Sequence, residues 1–465
     1  MRKLPFLRSP GECFLAPRDI AALAAFRFAL GAVIAISAAR FLAYGWVDTL
    51  FVRPTFHFTY WGLSWVRPLS GPAMHALFVA IGVLGACVAL GFLYRLVTPL
   101  LFLAFTYVQL IDVANYLNHY YLVSLLLLLL SVIPAHRAFS IDAWRNPALR
   151  QDTLPAWCAY VLRFQVGVVY VFAALAKATP DWLLHAQPLQ LWLGARTNLP
   201  VIGRWLDQTW VAYGAAWFGF LFDLTIVGFL MMRPTRAVAY IVLLLFHTAT
   251  ALLFPIGMFP VIMSMGALVF FDASWPRVWL RRFGVLAEAQ AGEADVPRLA
   301  PLLFGLGAFY VALQLAIPLR THLYGGNVLW HEQGMRFSWR VMAREKNGAV
   351  TFVVRQIQGD KTWHVSPRAY LNRLQEREMS VQPDLVLQLA HHIGADFNVQ
   401  GLGPVAVFAD ATASLNGRTA APLVDATVDL LEQSDGLGAK SWILAAPVGP
   451  PFQKHASQKP YFTPN

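Results

Sequence analysis

The chain has 465 residues, of which 57% are hydrophobic and 13% charged, with a formal net charge of +11. A soluble protein carries roughly 45–50% apolar and about 25% charged residues, so this chain lacks the solvated surface that a water-soluble fold of its length needs. Disorder requires low hydrophobicity and is excluded too.

A hydrocarbon core about 30 Å thick takes around 20 apolar residues per helix. In chain order, runs of this kind are Ile20–Leu42, Ala73–Leu93, Val97–Val113, Tyr120–Ile133, Trp157–Ala176, Val211–Met231, Val238–Phe254, Gly257–Phe271 and Leu299–Leu319. They predict a polytopic α-helical membrane protein with about nine transmembrane helices. The fourth and eighth runs are short, either extended by flanking residues or partial helices buried among the others. With the N-terminus inside, alternate segments hold Arg2, Lys3, Arg8 and Arg18, then Arg95, then Arg137, Arg145 and Arg150, then Arg233 and Arg236, then Arg277, Arg281, Arg282 and Arg298. The opposite segments before the last helix hold few basics: Arg53, Arg67, Arg196 and Arg204. This asymmetry follows the positive-inside rule and leaves everything after residue 320 outside.

No cleavable signal peptide is evident, because the apolar run behind the basic, Pro-containing start is too long for a signal core. No block of Lys and Arg is interleaved with aromatics, so a nucleic-acid partner is not expected. Cys13, Cys87 and Cys158 lie far apart and support neither a disulfide framework nor a metal site. The polar, acidic stretch Ala287–Asp295 reads as a solvated loop.

The chain divides into a transmembrane domain over 1–319 and an extramembrane domain over 320–465, α+β or mainly β. Short strands are expected at Ala349–Gln356, Thr362–Val365, Val405–Phe408 and Trp442–Leu444, from their alternation, and helices at Pro367–Met379 and Asp384–Ile393.

Ionisable residues in apolar helices are costly and therefore functional candidates. Four places stand out. Asp112–Tyr121 packs Asp112, Asn115, Asn118, His119 and two tyrosines, Tyr120 and Tyr121, beside a leucine run; it reads as a polar hairpin at the membrane surface or as a site. Arg163 and Gln165 lead through Tyr170 to Lys177, followed by Asp181 and Trp182. Lys177 either snorkels to the interface or sits in a low-dielectric cavity, where desolvation disfavours its charged form and a neutral amine could take a proton. His247 precedes a Pro-Gly break, Phe254–Phe259, that includes Met258. It is either a buried, hydrogen-bonded histidine or one facing a cavity lined by irregular backbone. Trp330–Arg340, with Arg336, suits an aromatic membrane belt or a contact with a catalytic cavity. There is no P-loop, GxSxG elbow or HExxH motif.

In this order, Asn118-His119-Tyr120-Tyr121-Leu122, Leu162–Gln165 with Val169-Tyr170, Lys177 with Asp181-Trp182, Phe246-His247 with Ile256–Phe259, and Arg336–Arg340 resemble the vitamin K-dependent gamma-carboxylase family and its bacterial relatives with a horizontally transferred transmembrane (HTTM) domain. The resemblance covers most of residues 15–345. It implies oxidation of a reduced vitamin K, a menaquinol or phylloquinol-like hydroquinone, by O2 to the epoxide. That oxidation would be coupled to carboxylation of a glutamate in a peptide or protein by CO2, with no metal. It carries the family's catalytic lysine onto Lys177 and its active-site histidine onto His119. Asn118, Tyr121, Arg163, Tyr170, Asp181, Trp182, His247, Met258 and Arg336 are then candidates for the quinol or substrate pocket. In the expected topology Lys177 and His119 face the same compartment. The Ala-, Leu- and Arg-rich usage points to a bacterial cell membrane with the N-terminus cytoplasmic. Departures include Ala173–Ala176, which lacks a second lysine before Lys177. Alternatives are a quinol epoxidase or other quinone-linked enzyme without glutamate carboxylation, and, from another class, a transporter or scaffold. A transporter would show repeated halves and ionisable residues on several helices, whereas Asp223 is the one clear intramembrane carboxylate.

Overall fold

The computed structural model describes residues 10–284 and 300–451. The expected loop Ala287–Asp295 and the basic residues Arg2, Lys3, Arg8 and Arg298 lie outside the described residues. Each expected apolar run contains a helix: α1 (Ala21–Ala43), α2 (Gly71–Leu90), α3 (Tyr94–Leu110), α4 (Asn118–Val132), α5 (Trp157–Lys177), then a short α6 (Pro180–His185), α7 (Thr209–Met231), α8 (Arg236–Leu253), α9 (Phe259–Ala267), a short α10 (Trp275–Arg281) and α11 (Ala300–Leu319). Among the described residues, six are long and apolar enough to cross a membrane: α1, α2, α5, α7, α8 and α11 with its continuation. A seventh crossing arises if α9 and α10, bent by 90°, count as one broken span. Helices α3 and α4 are apolar but shorter.

Packing divides the chain into two compact units, one of Met1–Arg53, Leu63–Tyr170 and Ile226–Ala316, the other of Pro54–Gly62, Val171–Thr225 and Ile317–Asn465. In the first, α1 and α2 pack through small residues spaced by four, Gly31 and Ala35 against Gly85 and Ala89. A Cβ at Gly31 would lie 2.4 Å from the Ala89 nitrogen, and one at Gly85 3.0 Å from the Ala35 nitrogen. Water drives no apolar association inside a bilayer, so such close backbone approach is what joins two helices. Helix α2 ends at Gly91, whose φ of +64° lets the Gly91 and Phe92 N–H groups bond back to the Val88 and Cys87 carbonyls.

The loops expected on the basic side meet in this first unit. Strand β1 (Pro17–Asp19) pairs antiparallel with β2 (Thr153–Pro155). Buried Arg277 donates to Asp19 at 3.0 Å and to Asp152 at 2.6 Å, tying three loops together.

The second unit holds a four-stranded antiparallel sheet, order β4-β3-β5-β6, from β3 (Lys346–Gln356), β4 (Thr362–Val365), β5 (Val405–Leu415) and β6 (Ala421–Pro422). The register runs from Lys346↔Leu415 to Gln356↔Val405. Strand β5 buries every second residue from Val405 to Leu415. Helix α13 (Pro383–Val399), which follows α12 (Arg373–Met379), packs on the sheet. Strands and helices together make the C-terminal region α+β.

Some local expectations are corrected. Val405–Phe408 is only the first part of β5, because its later half alternates alanine with polar residues and has little hydropathy signal. The helix expected at Asp384–Ile393 starts at Pro383 and continues to Val399. Pro367–Met379 is not one helix: a short turn, Pro367–Ala369, precedes α12, which begins at a capping box between Asn372 and Gln375. Trp442–Leu444 is no strand; a single bridge joins Ile443 to Val424.

The stretch 54–62, expected outside, belongs to this second unit. Thr59 and Gln388 exchange two hydrogen bonds of 2.9 Å, and Gln375 donates to the Phe56 carbonyl at 2.8 Å.

Candidate functional site

In the first unit, three of the four sequence segments converge on the break between α8 and α9. Asp112 accepts from the Ala114 N–H at 2.9 Å and fixes the turn before α4. The Tyr116 hydroxyl donates to Asn118 at 3.0 Å, which orients that amide. His119 follows, buried, with its ring centroid 4.5 Å from that of Tyr120 and 6.4 Å from that of Phe259.

The break reaches His119 through Gly257. Its φ is +59°, and a Cβ there would lie 3.6 Å from His119 Cε1, so the left-handed backbone brings the loop against the imidazole. Phe259 stands between two histidines, since its centroid is also 6.3 Å from that of His247. His247 Nε2 and the Tyr170 hydroxyl are 2.8 Å apart, a hydrogen bond whose donor is set by the imidazole tautomer. Next to Gly257, Met258 Sδ accepts from Arg40 at 3.1 Å. Tyr121, half-buried, lies on α4 beside these groups in the chain.

Arg163 is not part of this cluster. It donates to the Val269 carbonyl at 2.7 Å and to the Phe271 carbonyl at 3.3 Å, beyond the far end of α9. It satisfies carbonyls left open where that helix ends. Gln165, fully buried, accepts from the Tyr310 hydroxyl at 2.5 Å.

In the second unit, Lys177 is buried at the C-terminal end of α5. Its Nζ lies 2.8 Å from Asp223 Oδ2, 3.3 Å from the Ala173 carbonyl and 3.3 Å from the Val341 carbonyl, and 5.4 Å from the centroid of the Trp182 ring. The side chains of Lys177 and Asp223 are 8% and 7% exposed, so neither snorkels to water. Three acceptors match the three N–H bonds of an ammonium. Of the two readings of Lys177, snorkelling and burial, the structure shows burial, and with it a carboxylate partner that the sequence reading did not pair with it. Yet Asp223 is the one acidic residue in the 23 residues of α7. An apolar helix tolerates such a charge only when it is paired, so Lys177 was its natural partner.

Trp182 is held over the amine by its indole N–H, which donates to the Ala216 carbonyl at 2.8 Å. Asp181 points elsewhere: Arg418 donates to both of its oxygens at 2.7 Å, and Asn416 donates at 2.8 Å. Burial opposes its ionisation, but these donors outweigh burial and hold the carboxyl below its usual range. Arg336 likewise makes a clamp, donating to Asp384 at 2.5 and 3.2 Å and to Gln382. Burial disfavours its charge, but the Asp384 carboxylate prevails and keeps it protonated beyond the usual arginine range.

The segment that supplies the Val341 carbonyl is strained. Glu332, Phe337, Trp339 and Met342 all have φ between +50° and +63°, a region that non-glycine residues rarely occupy.

A bundle of membrane-crossing helices, a buried lysine–carboxylate pair and a C-terminal α+β region define an integral membrane protein with the makings of an acid–base site. The HTTM domain model matches residues 15–275, and the model of the vitamin K-dependent gamma-carboxylase lumenal domain matches residues 299–448. The chain belongs to the HTTM-domain, vitamin K-dependent gamma-carboxylase family. No solved structure matches it. Membership points to an enzyme of the carboxylase kind.

Proposed function

We propose that the chain is a vitamin K-dependent gamma-glutamyl carboxylase-like enzyme of a bacterial cell membrane. In this reading it crosses nine times, with the N-terminus cytoplasmic and residues 320–465 forming an outer domain. The convergence of the basic-side loops around Arg277 and the grouping of residues 54–62 with the C-terminal sheet support that topology.

The observation that carries the enzymatic reading is the Lys177–Asp223 pair under Trp182, on a chain of this family. A reduced naphthoquinone is flat, apolar and edged by two hydroxyls, so its site needs aromatic walls and a proton acceptor. Lys177 with Trp182, and His119 with Phe259, His247 and Tyr170, are donor sets of that chemistry. When bound, reduced vitamin K oxidised by O2 to its epoxide supplies the strong base that removes a gamma proton from peptide glutamate, and CO2 captures the carbanion.

The chain's own residues prepare that step. Lys177 Nζ takes a hydroxyl proton of the quinol as general base. Asp223 makes this possible in a dry site. Moving one proton across the 2.8 Å bond turns ammonium and carboxylate into amine and carboxylic acid, and the pair's net charge stays zero. A neutral amine is thereby presented without leaving a lone buried charge. His119, approached from one side by Gly257, binds the reacting glutamate, with Asn118 beside it, and Tyr121, Tyr170, His247 and Met258 line that substrate pocket. Arg163, Asp181 and Arg336 act as positioning clamps. The apolar helices exclude the water that would quench a carbanion.

The test is incubation of purified protein with reduced vitamin K, labelled CO2 and a Glu-containing peptide, read by mass spectrometry. A gain of one carboxyl group per modified Glu, abolished in Lys177→Ala and partly restored by added free amine, is expected. Epoxide without added carboxyl would leave a quinol epoxidase, and unchanged epoxide formation in Lys177→Ala would remove that lysine from the mechanism.

A further inference from the structure

The C-terminal sheet has an edge that is only half covered. Strand β4 pairs with Phe352–Arg355 of β3 and no further, whereas β5 pairs with all of β3 from Lys346 to Gln356. Past Val365 the chain turns away at Pro367, whose ring fixes φ and removes a donor. Among the described residues, Lys346–Thr351 is therefore paired by a strand on one side alone. Asn347, Ala349 and Thr351 are exposed on that stretch.

This bare edge opens into a groove of about 310 Å³ between β3 and α12. At the floor of the groove the α12–α13 connection lies close on β3 because position 348 is glycine: a Cβ there would fall 2.2 Å from the Ser380 carbonyl oxygen.

Its charge is one-sided. Lys346, Arg368, Arg373 and Arg377 line it against a single carboxylate, Glu376. Lys346 is buried and held by Glu332 and the Trp330 and Val381 carbonyls. The arginines remain open: Arg368 and Arg377 are 78% and 74% exposed although paired with Glu376 and Glu378, and Arg373 makes no ion pair among the described residues. Exposed pairs are weak, so an incoming carboxylate can exchange for them.

We propose that the groove binds an extended acidic peptide, which adds as a strand to the Lys346–Thr351 edge and sets its carboxylates against Arg368, Arg373 and Arg377. Main-chain hydrogen bonds to the edge provide affinity, and the arginines select the sequence. Arg373 and Arg377 are one helical turn apart, about 6 Å along the axis. Alternate residues of a strand recur at about 6.6 Å, so a peptide with acidic side chains at every second position fits best. The groove's affinity for such a peptide does not depend on the carboxylase reading.

The test uses the full-length protein in nanodiscs of zwitterionic lipid and a fluorescent peptide alternating Asp with Val, read by anisotropy. Aspartate keeps the probe apart from any glutamate chemistry. The acidic peptide should bind at least about tenfold tighter than its Lys-for-Asp counterpart, and R373E/R377E, at two exposed positions, should lose at least about tenfold. N-methylation of alternate peptide nitrogens should cost a similar factor by removing the donors a strand needs. Equal binding of acidic and basic peptides, wild-type affinity in R373E/R377E, or indifference to N-methylation would each overturn the proposal. A protein that binds the probe but carboxylates no Glu peptide keeps the groove and loses the enzymatic reading. One that carboxylates Glu peptides but binds the acidic and basic probes equally loses the groove and keeps the enzyme.

Discussion

The Lys177–Asp223 pair makes a quantitative demand on stability that is separate from activity. At 2.8 Å and an effective dielectric constant near 20, the attraction between the two charges is about 6 kcal/mol. Removing each ion from water costs several kcal/mol, so the pair as a whole contributes little net stability. Breaking it is another matter. Lys177→Met leaves a bare carboxylate and Asp223→Leu a bare ammonium, and each should cost about 3–5 kcal/mol. The double variant removes both charges and fills the space with apolar atoms, so it should return to within about 1 kcal/mol of the parent, a coupling energy of about 6–10 kcal/mol. Unfolding of the four proteins in one detergent, followed by tryptophan fluorescence, measures the cycle, and epoxide formation is assayed beside it. Additive single effects would show that the two groups do not depend on each other. A stable double variant that still epoxidises quinol would refute the proton-transfer role outright.

His119→Ala should lower carboxylation more than epoxidation, by about 10²-fold or more; equal loss of both, in parallel product assays, would assign the imidazole to the quinol instead. Gly31→Ala puts a Cβ 2.4 Å from backbone and should push α1 from α2, costing about 1–3 kcal/mol; an unchanged melting temperature would argue against the close approach. Lys346, outside the membrane, is held by burial at about 8, below its usual 10.5. Between those values the unfolded chain binds more protons than the folded one, so stability should rise with pH across that window by about 3 kcal/mol. Below 8 both states are protonated and the contribution is flat. In Lys346→Met the slope should vanish, as read from melting temperatures across the window.

Helices were legible because span length and hydropathy are local properties of the chain. The runs from Ile20 to Leu319 lie within a few residues of the helices, and their ends are set by local signals such as Gly91. The strands were harder. Half of β5 is alanine alternating with Asp, Thr and Ser, a pattern whose apolar face has no bulk, whereas Trp442–Leu444 has the bulk and lacks a partner strand. Among the site candidates, His119, Tyr170 and His247 stood out as polar groups in apolar surroundings. What they touch did not, because Phe259 and Gly257 carry no chemical signal of their own. Asp181 and Arg336 were pocket candidates through the family resemblance of the segments that hold them. Their partners Arg418 and Asp384 lie 237 and 48 residues away, a separation no local pattern reveals.

The surroundings of Lys177 connect these scales. Its three hydrogen-bond acceptors come from three stretches of chain: Ala173 on its own helix, Asp223 on α7, and Val341 in the strained segment before the sheet. The first is guaranteed by the helix and the second by the cost of a lone buried charge. The third comes from a segment in which Phe337, Trp339 and Met342 stand at positive φ, at a cost of roughly 1–2 kcal/mol each. Trp339, fully buried, supplies packing that can offset that strain. One N–H of Lys177 is thus directed at a carbonyl outside the helices that supply its other two acceptors. Under the proposed general-base role, the strained segment is therefore the one part of this hydrogen-bond set that belongs to neither helix.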